Sequence, residues 1–228
     1  CEAENGELLG ALPLYLKTNS YGEFVFDFAW AGAYQRAGLS YYPKLVSTVP
    51  FTPATGPRFL IAADSDPAVA SLLLQEGREL AARNSASSLH ILFADSLSQD
   101  IARQSDMLMR KDCQFHWNNR GYGNFADFLD TFTAVKRKKV RRERRRVSEA
   151  GIEFQTLTGA QMDDQLWNSI MPLYAGTFLR RGRDPYLNRE FFIQVSKTMP
   201  DNLVIFAGYQ QDQLAGVAIC FRSDTHLY

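Results

Sequence analysis

Eleven consecutive residues, Lys136 to Arg146, contain nine bases and one acid. No protein interior accepts such a segment, because each unpaired charge taken out of water costs on the order of several kcal/mol. The segment must lie on the surface, and the fold must be built to either side of it. At helical spacing Arg137/Arg141, Lys138/Arg142, Arg141/Arg145 and Arg142/Arg146 become like-charged neighbours. Each such pair opposes an isolated helix by about 0.2–0.5 kcal/mol. Glu143 and Glu149 relieve only part of this, and Val140 and Val147 offer a thin apolar stripe. Gly151 is expected to close the helix in the left-handed conformation. Lys138, Arg141, Arg142 and Arg145 are the expected anion contacts. Two fates are open to these charges: acidic surface elsewhere neutralises them, or a phosphate-rich ligand, RNA or anionic lipid does. No aromatic side chain interrupts the run, so a base-stacking platform is not expected inside it.

The 228-residue chain has 25 bases and 25 acids, so 16 bases and 24 acids lie outside the run. The zero net charge is thus a basic helix set against an acidic body, and it excludes no anionic partner. With 46% hydrophobic and 22% charged residues the composition is globular, not collagen-like, disordered or a disulfide scaffold. Cys1, Cys113 and Cys220 lack any paired spacing, so neither a disulfide framework nor a metal site is expected, and a reducing, cytoplasmic setting fits. No apolar run approaches the roughly 18 residues of a spanning helix, and Cys1-Glu-Ala-Glu does not begin a signal peptide. The first residue is not methionine and His226-Leu227-Tyr228 reads as part of a strand, so an internal piece of a longer chain is expected.

Apolar patterning predicts strands over Leu8 to Lys17, buried on both faces, and over Lys44 to Val49. A helix is predicted from Pro67 to Asn84, with Asp66 as N-cap and Leu72, Leu73 and Leu80 on its apolar stripe. Strand Leu89 to Ala94, helix Ser98 to Arg110 and strand Cys113 to Asn118 follow. Beyond Asn124 come a short helix to Phe132, the basic helix, strand Ile152 to Leu157, helices Asp164 to Arg180 and Asn188 to Lys197, and a hairpin of Leu203 to Tyr209 with Leu214 to Arg222. The alternation indicates an α/β chain dividing near residue 120.

Three further stretches attract attention. The aromatic residues between Tyr21 and Tyr42 suggest core packing, or a groove where Asp27, Trp30 and Tyr34 meet a ligand. Pro50 to Arg58 is rigid loop, with Gly56 and Arg58 able to approach an anion although Asp64 and Asp66 would repel one nearby. Arg180-Arg181-Gly182-Arg183-Asp184-Pro185-Tyr186 could clamp a carboxylate or phosphate, or simply complement a helix C-terminus. His90, His116 and His226 read as packed or surface residues, and no Ser-His-Asp elbow, Walker loop or metal triad is present.

The strings Pro13-Leu14-Tyr15-Leu16-Lys17, Ser20 to Asp27, Tyr41 to Leu45, Val49 to Pro53, Thr55 to Arg58, Phe115-His116-Trp117, Asn119 to Tyr122, Glu149 to Glu153 and Pro185-Tyr186-Leu187 resemble the bacterial FemAB-like N-acyltransferases over nearly the whole chain. The resemblance implies an α/β (α+β) fold: two GNAT-like acyltransferase domains, 1–119 and 120–228, with mixed, largely antiparallel sheets flanked by helices, each incomplete at the outer end. It implies transfer of an acyl group from acyl-CoA or aminoacyl-tRNA to an amine, possible contact with tRNA and with a cell-wall precursor, and no metal. The helical coiled-coil arm of Fem enzymes has no counterpart here. On this reading Asp27 or Tyr186 accepts the proton, Lys44, Arg58, Arg180 and Arg181 contact anionic groups, and Tyr21, Trp30 and Thr52 contact substrate. The rival expectation is a non-catalytic module that holds anionic glycan or RNA through residues 136–146.

Overall fold

The computed structural model describes residues 1–228, which divide into two compact units, Cys1–Gln114 and Phe115–Tyr228. Seven helices and three small, mostly antiparallel sheets make a mixed α/β architecture.

The first unit contains β1 (Gly10–Ala11), β2 (Tyr15–Lys17), α1 (Phe28–Arg36), β3 (Lys44–Ser47), β4 (Leu60–Ile61), α2 (Ala68–Arg83), β5 (Leu89–Ile91) and α3 (Ser96–Gln104). The single strand expected over Leu8 to Lys17 is broken in two, because Pro13 lacks an amide proton and interrupts any ladder. β1 pairs antiparallel with β4, whereas β2 lies antiparallel to β3, which runs parallel to β5. As the outer strand of its sheet, β2 leaves Tyr15 and Leu16 exposed rather than buried. All four residues of the central β3 are buried.

Asp66 caps α2 as expected, its Oδ1 accepting the Ala68 amide at 2.7 Å. The buried face of α2 carries Val69, Ala70, Leu74 and Ala81, while Leu72 points outward, a shift of the expected stripe. Phe59, Ala70 and Leu74 form the first core, with Leu12, Ile61 and Leu89 against them. Asp95 caps α3 by accepting the Ser98 amide, and the helix ends at Gln104, short of the expected Arg110. The strand expected over Cys113 to Asn118 does not form; these residues are exposed and pair with no other strand.

The second unit contains α4 (Phe125–Asp130), α5 (Ala134–Glu149), β6 (Ile152–Thr158), α6 (Asp164–Leu179), α7 (Arg189–Thr198), β7 (Leu203–Gln210) and β8 (Gln213–Phe221). Gly151, at φ 69°, closes α5 with its amide on the Ser148 carbonyl, as the sequence predicts. The three strands form an antiparallel meander in the order β6-β7-β8. Helices α6 and α7 supply Trp167, Ile170 and Phe192, which pack with Leu203 and Ile205 of β7 into the second core. Trp167 stacks on Phe192 with ring centroids 5.2 Å apart. No helix is long and apolar enough to cross a membrane.

Candidate functional site

Strand β3 opens with a lysine whose side chain is 0% exposed. A buried ammonium needs partners for all three protons, and the chain between Ser20 and Asp27 supplies them. Lys44 Nζ donates to Glu23 Oε2 at 2.8 Å, Asp27 Oδ2 at 2.5 Å and Ser20 Oγ at 2.9 Å. Its charge also lies 5.2 Å from the ring centroid of Tyr41 and 5.7 Å from that of Tyr42. Tyr41 donates its hydroxyl to Asp27 Oδ2 at 2.7 Å, and Lys17 Nζ approaches Glu23 Oε1 at 3.6 Å. Two lysines thus face two carboxylates around one buried centre, while Glu23 Oε1 and Asp27 Oδ1 accept no hydrogen bond.

Burial alone would raise the Asp27 carboxyl, but the hydrogen bonds from Lys44 and Tyr41 outweigh it and hold Asp27 below its ordinary 3.8. The Tyr41 phenol is pushed up by burial and by the adjacent Asp27 carboxylate. His90, on β5, is brought down to about 4 by burial and by the Lys44 charge, with Asp27 opposing and Arg110 assisting. Since the unfolded imidazole titrates near 6.5, the unfolded chain binds a proton between pH 6.5 and about 4 that the folded chain refuses. Stability present above pH 6.5 is therefore lost as the pH falls toward 4. Urea midpoints are expected to fall more steeply across this window in the wild type than in His90→Gln. Equal slopes would contradict the assignment.

Around this centre the aromatic stretch is displayed, not packed inward. Tyr21, Phe24, Phe26, Phe28 and Trp30 are all exposed, Phe26 to 69% and Trp30 to 52%, and only Tyr41 of the aromatic residues from 21 to 42 is buried. The expectation of core packing fails here because Leu45 and Val46 of β3, Ala70 and Leu74 of α2 and Phe59 occupy the interior, leaving the 21–30 segment as a shelf fixed from below by Glu23 and Asp27. Arg110 donates to the Phe26 carbonyl at 2.8 Å and Gln114 to the Pro53 carbonyl at 2.8 Å, tying the chain after α3 across the same region.

Asp27 is 2% exposed, so its carboxylate anchors the shelf and does not meet solvent. Lys44 has all three donors occupied by the protein itself. Arg58 is likewise turned inward: Nε donates to the Leu92 carbonyl, Nη1 to that of Pro57 and Nη2 to that of Ala54, while its amide donates to Ser98 Oγ. The proline-glycine loop is thereby stitched to the sheet, with the Gly56 amide on the Phe93 carbonyl. Thr52 bonds within its own turn, to the Pro50 carbonyl. Tyr21 and Trp30 remain exposed on the shelf.

The other candidates belong to the second unit and are described on their own. Tyr186 packs edge-on against Phe178 with centroids 4.9 Å apart. It lines a groove of about 510 Å³ with Met171, Leu187 and Phe191. Arg180 and Arg181 are exposed where the chain leaves α6. Lys138, Arg141, Arg142 and Arg145 are exposed on α5. Sequence reading missed Glu23, Ser20 and Tyr41. The available signal was a lysine inside an apolar strand together with two acids four residues apart among aromatic side chains.

A two-unit α/β chain with an internally neutralised charge centre beneath an aromatic shelf is what the fold and site define. The model of the FemAB-like family, described as peptidoglycan biosynthesis/recognition, matches residues 1–228, and the chain belongs to that family. No curated protein matches the chain.

Proposed function

We propose that the protein is a transferase that moves an acyl or aminoacyl group from acyl-CoA or aminoacyl-tRNA to an amine of a peptidoglycan-type precursor. The whole-chain family match carries this reading. Each unit is read as one GNAT-like domain, 1–119 and 120–228. In the reaction the acceptor nitrogen bonds to the donor carbonyl carbon, the carbon–sulfur or carbon–oxygen bond breaks, and the proton lost by the amine balances the one gained by the departing CoA thiol or tRNA hydroxyl. Charge develops on the carbonyl oxygen, where backbone amides stabilise it.

Both donor types carry an adenosine, at the ester itself in aminoacyl-tRNA and at the far end of the pantetheine arm from the thioester in acyl-CoA, and the exposed rings of Tyr21 and Trp30 suit stacking against it. Asp27 and Lys44 act as positioning residues that hold this shelf. In the second unit taken by itself, Tyr186, half-exposed at its groove, is a candidate for proton transfer there, and Arg180 and Arg181 are candidates for an anionic group of a ligand held by that unit.

The test is amide formation detected by mass spectrometry, using the protein with a panel of acyl-CoA and aminoacyl-tRNA donors and a peptidoglycan precursor peptide. Absence of product across the panel would overturn the reading. Trp30→Ala is expected to raise the donor KM about tenfold, at the lower end of the roughly 1–3 kcal/mol carried by one base–aromatic stack, with kcat little changed.

A further inference from the structure

Most of the charges of α5 are not neutralised by their own unit. Arg137 pairs with Asp130 at 2.6 Å, Lys139 with Glu143 at 3.8 Å and Arg145 with Glu149 at 3.4 Å. Lys136, Lys138, Arg141, Arg142 and Arg146 form no ion pair within the unit. Lys138, Arg141, Arg142 and Arg145 stand at i, i+3, i+4 and i+7, so they share one helix face. Val135, 80% exposed, continues that face three residues before Lys138.

An aromatic ledge borders the helix. The Arg144 guanidinium lies 4.2 Å over the Phe125 ring, Phe125 meets Phe128 at 5.7 Å, and Phe128 meets Trp117 edge-on at 5.9 Å. Trp117 is 63% exposed and Phe115 98% exposed. The rings engage one another and Arg144 by their faces and edges, an arrangement that leaves apolar bulk outward but covers the Phe125 face a nucleobase would need.

From this juxtaposition we infer that the second unit docks on an anionic lipid bilayer, α5 lying over the headgroups and Trp117 and Phe115 entering the boundary between headgroups and acyl chains. The helix itself is too polar to embed. Its charges supply attraction that adds up residue by residue, and the exposed rings supply the short-range anchor that interfacial proteins place beside such charge. The lysine and arginine stems can lie along the surface while their heads reach phosphate.

The experiment is flotation of the protein with vesicles of phosphatidylcholine alone or of equal parts phosphatidylcholine and phosphatidylglycerol, with tryptophan emission followed in parallel. Binding to the anionic vesicles alone, with a blue shift that Trp117→Phe abolishes, is the expected result. The variant K138E/R141E/R142E/R145E is expected to bind at least about a thousandfold more weakly. Should that variant misfold by circular dichroism, F115S/W117S, which leaves the helix untouched, is expected to lose the salt-resistant part of the binding. Equal binding to neutral vesicles, or unchanged binding by these variants, would overturn the inference. So would displacement from anionic vesicles by polyuridylate, which would assign the surface to RNA. No acyl donor is present in the experiment, so its outcome is independent of the transfer reaction.

Discussion

Lys44→Met is expected to destabilise the first unit by about 3–5 kcal/mol, because it leaves Asp27 buried without a counter-charge and Glu23 with only the 3.6 Å approach of Lys17. The methionine fills most of the lysine volume, so the loss reports charge rather than a cavity. For a unit of this size such a loss lowers the melting temperature by roughly ten to several tens of degrees, enough to unfold it near physiological temperature. The expected rescue defines the cause: E23Q/D27N/K44M, which leaves positions 23, 27 and 44 all uncharged, should recover much of the stability. Chemical unfolding followed by near-ultraviolet circular dichroism measures both. A Lys44→Met midpoint within about 1 kcal/mol of wild type would show that water reaches the carboxylates and that the centre is not sealed. Because Asp27 anchors the shelf, the triple variant also separates the two roles: stability returns while donor KM stays raised if the charges orient the shelf.

Trp167→Ala is expected to cost the second unit about 3–5 kcal/mol, since the ring is 1% exposed and stacked on Phe192 at the centre of its core. Trp167→Phe is expected to be far milder. The indole nitrogen is buried with no hydrogen-bond partner, so its removal relieves a desolvation cost that partly offsets the smaller cavity. Urea unfolding monitored at 222 nm distinguishes the cases, and equal losses for alanine and phenylalanine would show that the indole is held by an unseen partner such as bound water.

What the sequence discloses follows the range of the interaction. The α2 boundaries, the hairpin of β7 and β8 and the closure of α5 at Gly151 were legible because Asp66, Pro67 and Gly151 act on backbone within a few residues of themselves. The division of Leu8 to Lys17 turned on Pro13, whose effect depends on whether the flanking pieces find the same partner; β1 found β4 and β2 found β3. The candidate site was harder. Asp27 and Lys44 were both singled out, but Asp27 as a proton acceptor or ligand contact and Lys44 as an anion contact, because nothing local tells that a lysine and two acids satisfy one another across a fold. The aromatic stretch was read as core for the same reason: ring density gives hydrophobicity, whereas exposure depends on which surfaces α2 and β3 have already filled. Helix α1, hidden within that stretch, has no buried residue and a weak apolar periodicity, so no stripe marked it.

The order β6-β7-β8 leaves one rim of β8 without a partner strand over most of its length. Only at its end do Phe221 and Tyr228 exchange backbone hydrogen bonds, starting an antiparallel return alongside it. Native edges are commonly guarded by lysine, proline or a twist, yet the nine residues Gln213–Phe221 include no charge and no proline. An uncharged, proline-free strand of this kind has the composition of a strand paired on both sides, and the bonds between Phe221 and Tyr228 are the first of that second pairing.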